Sequence, residues 1–205
     1  MAERIDKRPH VLAVTGGIGS GKSVVCQCLA AMGIPVYACD DEAKRLNQTH
    51  PFIRAGLKQL VGEYVYASDG TLDKRVLADY LFADAAHAAQ VNAIIHPCVK
   101  EHFRQWAAVQ SDEWVVMESA ILYESGFETM ADKVIAVYAP EDMRIGRAMK
   151  RDGVSAEAVS RRIAQQMADE EKMQKADFIL YNDGKSPLLL QILDILANLL
   201  CEIRA

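Results

Sequence analysis

The sequence has no long run of basic residues. Its 205 residues include 23 Lys and Arg against 28 Asp and Glu, which gives a formal net charge of −5 at pH 7. Binding along a nucleic acid backbone requires a positively charged stripe, so we expect no nucleic acid partner. Several arginines do cluster within residues 144–162, and a local cluster of this kind suits a small phosphorylated ligand.

A long uninterrupted hydrophobic segment is also lacking at either end. Residues 1–9 are mostly polar and charged, unlike a secretory signal peptide. The leucine-rich segment 188–203 is interrupted by four polar residues that share one helical stripe, namely Gln191, Asp194, Asn198 and Glu202. We therefore predict an amphipathic helix packed on a core, and no membrane partner.

Cysteine is scarce and odd in number. The chain has five Cys in 205 residues, and a chain of this length can build a hydrophobic core without disulfide cross-links. Cys26 and Cys28 are two positions apart on a predicted helix, so their side chains point about 200° apart and cannot both reach one metal ion. We expect buried, reduced thiols and a cytoplasmic protein.

The most informative segment that is present is residues 16–23, Gly-Gly-Ile-Gly-Ser-Gly-Lys-Ser, which fit the pattern G-x-x-x-x-G-K-[ST]. An apolar run at 11–14 precedes it and a helix-compatible stretch follows it. Glycines in such a loop allow positive φ and close backbone approach to phosphates, and the first N–H groups of the helix point at the anion. The pattern predicts a nucleoside triphosphate as the ligand.

This loop assigns chemical roles to individual residues. Lys22 supplies a point charge that can follow phosphate oxygens during transfer, and the Ser23 hydroxyl is placed to bind Mg²⁺. The residues predicted to bind the nucleotide here are Gly17, Ile18, Gly19, Ser20, Gly21, Lys22, Ser23 and Val24.

Short apolar runs recur along the chain and predict an α/β fold. They lie at 11–14, 34–39, 114–117, 133–138 and 177–181, and helix-compatible stretches separate them. This alternation favours a mainly parallel sheet that is covered by helices on both faces.

Two stretches without strand rhythm predict helical appendages. Residues 43–110 read as a mostly helical insertion, broken at Gly62, at Asp69-Gly70 and at His96-Pro97. Residues 141–175 read as a second helical stretch. The apolar residues Val159, Ile163 and Met167 recur there every four positions, as on one helix face.

Asp40 is the candidate for activating a hydroxyl acceptor. It stands at the predicted carboxyl end of the second strand, where ligands bind in open parallel sheets. A general base or an Mg²⁺-linked role suits it there, and the alternative is that Asp40 caps the following helix. Asp41 and Glu42 read as first-turn residues that favour the helix dipole.

Arginines in the second helical stretch are candidates for contact with the nucleotide. Arg147 and Arg151 lie one helical turn apart and could close over the nucleotide as a lid, with Arg161 and Arg162 adding to it. The alternative is a solvated basic face that is balanced by the acidic residues Asp169, Glu170 and Glu171. Glu118, beyond the third predicted strand, stays open between packing and function.

Seven segments in order resemble the dephospho-coenzyme A kinase family, and the resemblance extends over about residues 10–200. The segments are Thr15–Ser23, Gly33–Asp40, Gly70–Arg75, Asn92–Pro97, Arg147–Gly153, Arg162–Gln166 and Ala176–Gly184.

The resemblance implies a P-loop NTPase fold with a five-stranded parallel sheet flanked by helices, a helical substrate-binding insertion and a helical lid. It implies one kinase domain over 1–205, with a core at about 10–42, 111–140 and 176–205, a CoA-binding insertion at about 43–110 and a lid at about 141–175. The implied reaction is transfer from ATP, with Mg²⁺, to the ribose 3′-hydroxyl of dephospho-CoA, the last step of coenzyme A biosynthesis. We expect a monomer or a weak homo-oligomer.

Site residues carry over from the resemblance position by position. Asp40 matches the second acid of a D-x-D motif and would be the base, while Arg147 and Arg151 match lid arginines that bind ATP. Lys22, Asp40 and Arg147 form the implied catalytic set. The implied substrate-binding residues are Asp40, Leu72, Lys74, Arg75, His96 and Arg162.

The sequence departs from the family pattern in places. Ala38 replaces the first acid of D-x-D, so metal binding, if it needs two carboxylates, would depend on Asp40, Asp41 or water. Glu118 is the acid before a third-strand segment that reads Ser119–Leu122. The family's L-D-R segment reads Leu-Asp-Lys-Arg, which leaves open whether Lys74 or Arg75 faces the substrate.

Two other classes of protein compete with this interpretation. Another small-molecule P-loop kinase, acting on a nucleoside monophosphate or a sugar acid, shares the fold and most of the chemistry. A GTPase switch would carry D-x-x-G and N-K-x-D motifs, and the sequence contains neither. A non-catalytic ATP-binding module would not need Asp40.

Overall fold

Five short strands carry the apolar runs of the sequence and form one sheet. In the computed structural model, which describes residues 8–203, they span His10–Thr15 (β1), Val36–Ala38 (β2), Trp114–Glu118 (β3), Lys133–Tyr138 (β4) and Phe178–Tyr181 (β5). All five predicted strands are confirmed, although the second is shorter than the run at 34–39.

The strand order is β2-β3-β1-β4-β5, with β1 at the centre. β1 pairs in parallel with β3 on one side and with β4 on the other, and β4 pairs in parallel with β5. Because these strands run in the same direction, their carboxyl ends meet at one edge of the sheet, where ligands bind in folds of this kind.

The chain divides into two compact units. One contains the residues up to Tyr37 and from Gln110 onward, and the other is Ala38–Val109. Nine α-helices lie within residues 8–203: Lys22–Ala31 (α1), Cys39–Thr49 (α2), Pro51–Val61 (α3), Lys74–Leu81 (α4), Ala85–Ala108 (α5), Glu141–Asp152 (α6), Ala156–Ile163 (α7), Asp169–Lys175 (α8) and Leu188–Ile203 (α9).

The core of the first unit forms between the sheet and the helices α1 and α9. Leu12 and Val14 of β1 are fully buried against Leu29 of α1 and Ile192 of α9. Burying one such side chain contributes about 1.5–3 kcal/mol, so this cluster holds β1 rigidly beneath the loop that follows it. None of the helices within residues 8–203 is both long enough and apolar enough to cross a membrane.

All five cysteines are free thiols. Cys26 is buried as predicted, whereas Cys28 is half-buried at the edge of the core cluster.

The second unit is helical, and its longest helix corrects one prediction. The break predicted at His96-Pro97 is wrong, because α5, which is 24 residues long, continues through Pro97. Proline removes one helical hydrogen bond, but the buried face of α5 repeats on both sides of it, and burial of this stripe keeps the helix continuous. The stripe consists of Val91, Ile95, Val99, Phe103 and Ala107.

The segment Glu141–Lys175, called the arm below, contains the three short helices α6, α7 and α8. The prediction that Met167 continues the helix face of Val159 and Ile163 is wrong, because α7 ends at Ile163. The chain leaves the helix there, and the Met167 N–H donates instead to Glu124 Oε1 at 2.8 Å.

Candidate active site

The loop between β1 and α1 winds through three glycines with positive φ. Gly16 has φ 145°, Gly19 has φ 79° and Gly21, at the N-cap position of α1, has φ 100°. L-residues rarely adopt such conformations, so glycine is required at these positions. Gly17 has a different constraint, because a Cβ there would collide with the guanidinium of Arg144.

Lys22 is folded back beneath this loop. Its side chain is only 8% exposed, and Nζ donates to the carbonyl oxygens of Gly16 at 2.9 Å and Gly17 at 3.3 Å. The ammonium group is thus held against the loop that it would serve. Val24, in the same first turn of α1, is exposed, and its N–H donates to Gly21.

Ser23 and Glu118 lie together at the carboxyl edge of the sheet. The Ser23 hydroxyl donates to Glu118 Oε1 at 3.0 Å. Glu118 is the last residue of β3 and pairs in register with Val14 of β1. A hydroxyl and a carboxylate are oxygen ligands of the kind that Mg²⁺ prefers. Among residues 8–203, no three His, Cys, Asp or Glu side chains form a metal cluster, so phosphates and water would complete such a site.

Arg144 is a site residue that sequence reasoning missed. It lies on α6, is 4% exposed, and forms an ion pair with Asp169 of α8. Its Nε donates to the Ile18 carbonyl at 3.0 Å. Burial lowers the pKa of this guanidinium, and the nearby carboxylates of Glu141 and Glu170 oppose that shift. Asp169 therefore forms its ion pair with Arg144. The alternative interpretation had placed Asp169 opposite a basic face that includes Arg147 and Arg151.

Arg147 also reaches the loop from α6. Its guanidinium donates to the Asn182 carbonyl at 3.0 Å and, at longer range, to Ser20 O at 3.4 Å and Gly19 O at 3.5 Å. The Asn182 side-chain amide, beyond β5, donates to the same Ser20 carbonyl at 2.8 Å. Asn182 is a second site residue that the sequence analysis did not predict. It lies in the segment Ala176–Gly184 that resembles the family, but no role was assigned to it there.

Arg151 and Arg162 lie elsewhere on the arm. Both are exposed and both donate to Asp152, at 2.7 Å from Arg151 Nε and at 3.0 Å from the Arg162 guanidinium. Hydrogen bonding from Arg151 lowers the pKa of the Asp152 carboxyl. The structure therefore brings Arg147, and not these two arginines, to the phosphate loop.

Asp40 belongs to the second unit. It is exposed in the first turn of α2, one residue after Cys39. The interpretation of Asp40 as a helix cap is wrong, because Ala38 occupies the N-cap position. Asp41 and Glu42 share this first turn, as predicted, and pair with Lys44 and Arg45.

The other candidate substrate residues also lie in the second unit. Leu72 is half-buried, forms an isolated bridge with Tyr66, and donates its N–H to Gln48 Oε1 at 2.8 Å. Lys74 and Arg75 are both exposed at the start of α4.

His96 is half-buried on α5 in the same unit. Burial, and then the charge of Lys100, lower the pKa of its imidazole below 6.5, so the ring is mainly neutral at pH 7.

Comparison with known proteins identifies the family. The family model for dephospho-CoA kinase matches residues 10–187. The chain is 52% identical over 189 residues to dephospho-CoA kinase of Bacteroides fragilis, with 92% of each chain covered. It is 42% identical over 186 residues to dephospho-CoA kinase of Porphyromonas gingivalis, covering 90% of this chain and 92% of that one. The chain belongs to the dephospho-CoA kinase family.

A solved structure shares the fold of this chain. The crystal structure of TT1252 from Thermus thermophilus superposes with a TM-score of 0.82 at 33% identity, covering 96% of this chain and 98% of that one. The predicted P-loop fold and the kinase assignment are both confirmed. The protein is thus an enzyme of a P-loop dephospho-CoA kinase family that uses ATP and acts on small molecules.

Proposed function

We propose that this chain transfers the γ-phosphoryl group of ATP to the ribose 3′-hydroxyl of dephospho-CoA and releases CoA and ADP, the last step of coenzyme A biosynthesis. The observation that carries the proposal is the family match, which extends through the helical second unit and the arm. A match confined to the phosphate loop would not separate this activity from that of other P-loop kinases.

The loop residues supply binding and charge compensation in this proposal. Backbone N–H groups of this loop would cradle the β- and γ-phosphates, whereas those of Ile18 and Val24 donate to acceptors within the protein. Lys22 exchanges the carbonyl oxygens of Gly16 and Gly17 for phosphate oxygens, and its charge compensates the transferring group. Arg147, already held beside Ser20 and Asn182, would complete the nucleotide site from the arm, and Arg151 would join it on leaving Asp152.

Ser23 and Glu118 are the residues that would hold Mg²⁺. When bound, the ion neutralises charge on the β- and γ-phosphate oxygens. Ala38 carries no carboxylate at the first acidic position of the family motif, so Glu118, which accepts from the Ser23 hydroxyl, would supply the acidic ligand in this chain.

The second unit would provide the acceptor site. Asp40 orients the 3′-hydroxyl and accepts its proton as the general base. His96, neutral at pH 7, can donate or accept a hydrogen bond without adding charge. Leu72, His96 and one of Lys74 and Arg75 would contact the rest of the acceptor.

A panel of acceptors tests the proposal. The purified protein is incubated with ATP, Mg²⁺ and one of dephospho-CoA, AMP, CMP, shikimate or gluconate, and ADP release and CoA formation are scored separately. We expect ADP release to depend on dephospho-CoA and to match CoA formed. Faster turnover of AMP, CMP or a sugar acid would replace the proposal by the rival small-molecule kinase.

We further propose a cytoplasmic enzyme that is a monomer or a weak homo-oligomer. The odd number of cysteines in a chain of this size supports a reducing compartment. Light scattering after size exclusion, over a tenfold range of protein concentration, measures the oligomeric state. A stable oligomer at the lowest concentration would contradict the second part.

A further inference from the structure

Gln166 joins the phosphate loop to the segment that follows β3. It is half-buried in the turn between α7 and α8. Its Oε1 accepts the Ile18 N–H at 2.9 Å, and its Nε2 donates to the Ala120 carbonyl at 3.4 Å. One amide orientation satisfies both bonds, because the oxygen faces a donor and the nitrogen faces an acceptor.

Both backbone polar groups of Ile18, its N–H and its carbonyl, are held by hydrogen bonds. Arg144 donates to the Ile18 carbonyl at 3.0 Å, and Asp169 pairs with Arg144. Both contacts come from the arm, one from α6 and one from the turn before α8. The tip of a loop that contains four glycines is therefore ordered by the arm.

The other end of the Gln166 amide contacts an equally well-anchored segment. Ala120 lies two residues beyond Glu118, the partner of Ser23. Its carbonyl also accepts from Lys172 Nζ at 3.0 Å, and Lys172, which is 1% exposed, pairs with Glu124 at 3.4 Å. Gln166 therefore spans two fixed points, the loop tip and the end of β3.

We propose that Gln166 is a positioning residue for ATP, one that holds the phosphate loop in its binding conformation before the nucleotide arrives. The proposal rests on the proposed function above. A glycine-rich loop that is free to move would lose conformational entropy when it closes on phosphates, and prior ordering removes that cost from binding. The amide acts through Ile18 and Ala120 and need not touch the nucleotide.

The test compares Gln166→Leu and Gln166→Ala with Gln165→Leu and Gln165→Ala. Leu has nearly the volume of Gln without its amide, and Ala removes the amide together with most of the side chain. Gln165 is the exposed neighbour in the same turn and provides a matched control. Calorimetric ADP binding without acceptor is measured together with KM for both substrates, kcat and the unfolding temperature.

For both Gln166 variants we expect the ADP dissociation constant and the KM for ATP to rise about 5- to 30-fold, the effect of losing one or two hydrogen bonds. The KM for dephospho-CoA and kcat should change less than about threefold, and the Gln165 variants should match the wild type.

ADP affinity at the wild-type level in both Gln166 variants would overturn the proposal. A fall in kcat and in the unfolding temperature together with a rise in both KM values would also overturn it, since that pattern indicates a purely structural residue. If the wild type makes no CoA, the proposed function fails, whereas the calorimetric arm still tests the role of Gln166.

Discussion

The hydroxyl of Ser23, at the start of α1, donates to the carboxylate of Glu118, at the end of β3, at 3.0 Å. The two residues are 95 positions apart in the chain. They meet because β1 and β3 are neighbours and run in the same direction. This pair is the part of the site with the chemistry of a magnesium ligand set.

Replacement of Glu118 should therefore impair metal use. For Glu118→Gln we expect the Mg²⁺ concentration required for half-maximal activity to rise about 10- to 100-fold, because the amide lacks the charge of the carboxylate. Titration of activity with Mg²⁺ at saturating ATP measures this. Glu113→Gln, in the exposed residue just before β3, is the control, and equal Mg²⁺ curves for both variants would remove Glu118 from the metal site.

Asp40→Asn should separate turnover from nucleotide binding. We expect kcat to fall by about 10²–10⁴, the usual scale for a general base, with ADP affinity nearly intact. Asp41→Asn, in the next residue of the same helical turn, should keep most of the activity. Near-normal turnover of Asp40→Asn would assign the base to another residue.

Arg147 should matter more for ATP than Arg151 does. For Arg147→Ala we expect the KM for ATP to rise about tenfold, on the scale of a charge-assisted hydrogen bond. Arg151 must first leave Asp152, so Arg151→Ala should have the smaller effect. Steady-state kinetics, with ATP hydrolysis measured in the absence of acceptor, tests this order, and the reverse order would show that Arg147 serves only the loop backbone.

Gly17 and Gly146 offer a matched pair of glycine substitutions. A Cβ at Gly17 would collide with the Arg144 guanidinium, whereas a Cβ at Gly146, within α6, meets nothing within 4 Å. Gly17→Ala should weaken ADP binding, because the Cβ displaces the Arg144 guanidinium that holds the Ile18 carbonyl. Gly146→Ala should stabilise the protein by about 0.5–1 kcal/mol, because alanine favours the helix. Denaturation by urea and calorimetry measure both, and wild-type ADP affinity in Gly17→Ala would contradict the steric argument.

His96 should contribute to acid sensitivity. Burial lowers the pKa of His96 in the folded protein below its unfolded value of about 6.5. The unfolded chain then binds more protons at this residue at acidic pH, so the contribution of His96 lowers the stability as the pH decreases below about 6.5 and does not change it above that pH. Between pH 7.5 and 5.5, the wild type should lose more unfolding free energy than His96→Gln does. Parallel losses in urea titrations would show that the ring is not desolvated.

The sequence was a reliable guide to the strands, because each is a short apolar run between polar segments. It was less reliable where burial outweighs a local signal. Pro97 is a breaker by its chemistry, yet α5 continues through it because Ile95 and Val99 are buried on the same face. Met167 fits a helical spacing, yet α7 ends at Ile163 and the Met167 N–H donates to Glu124 instead.

The candidate site could be predicted only in part, for a related reason. The phosphate loop is contiguous, so its pattern is visible in eight residues. The residues that order the loop are not, because Arg144 is 126 positions from Ile18 and Gln166 is 148. No spacing rule connects such residues; only the pairing of β1 with its neighbours brings them together.

The contact between Asn182 and the Ser20 carbonyl has a consequence for the synthesis of this chain on the ribosome. The two residues are separated by 162 positions, so the ribosome translates residues 16–23 long before it translates Asn182. A nascent chain or an amino-terminal fragment that contains the motif therefore lacks the groups that shape it. A chain that ends before β5 would therefore lack the amide that donates to the Ser20 carbonyl.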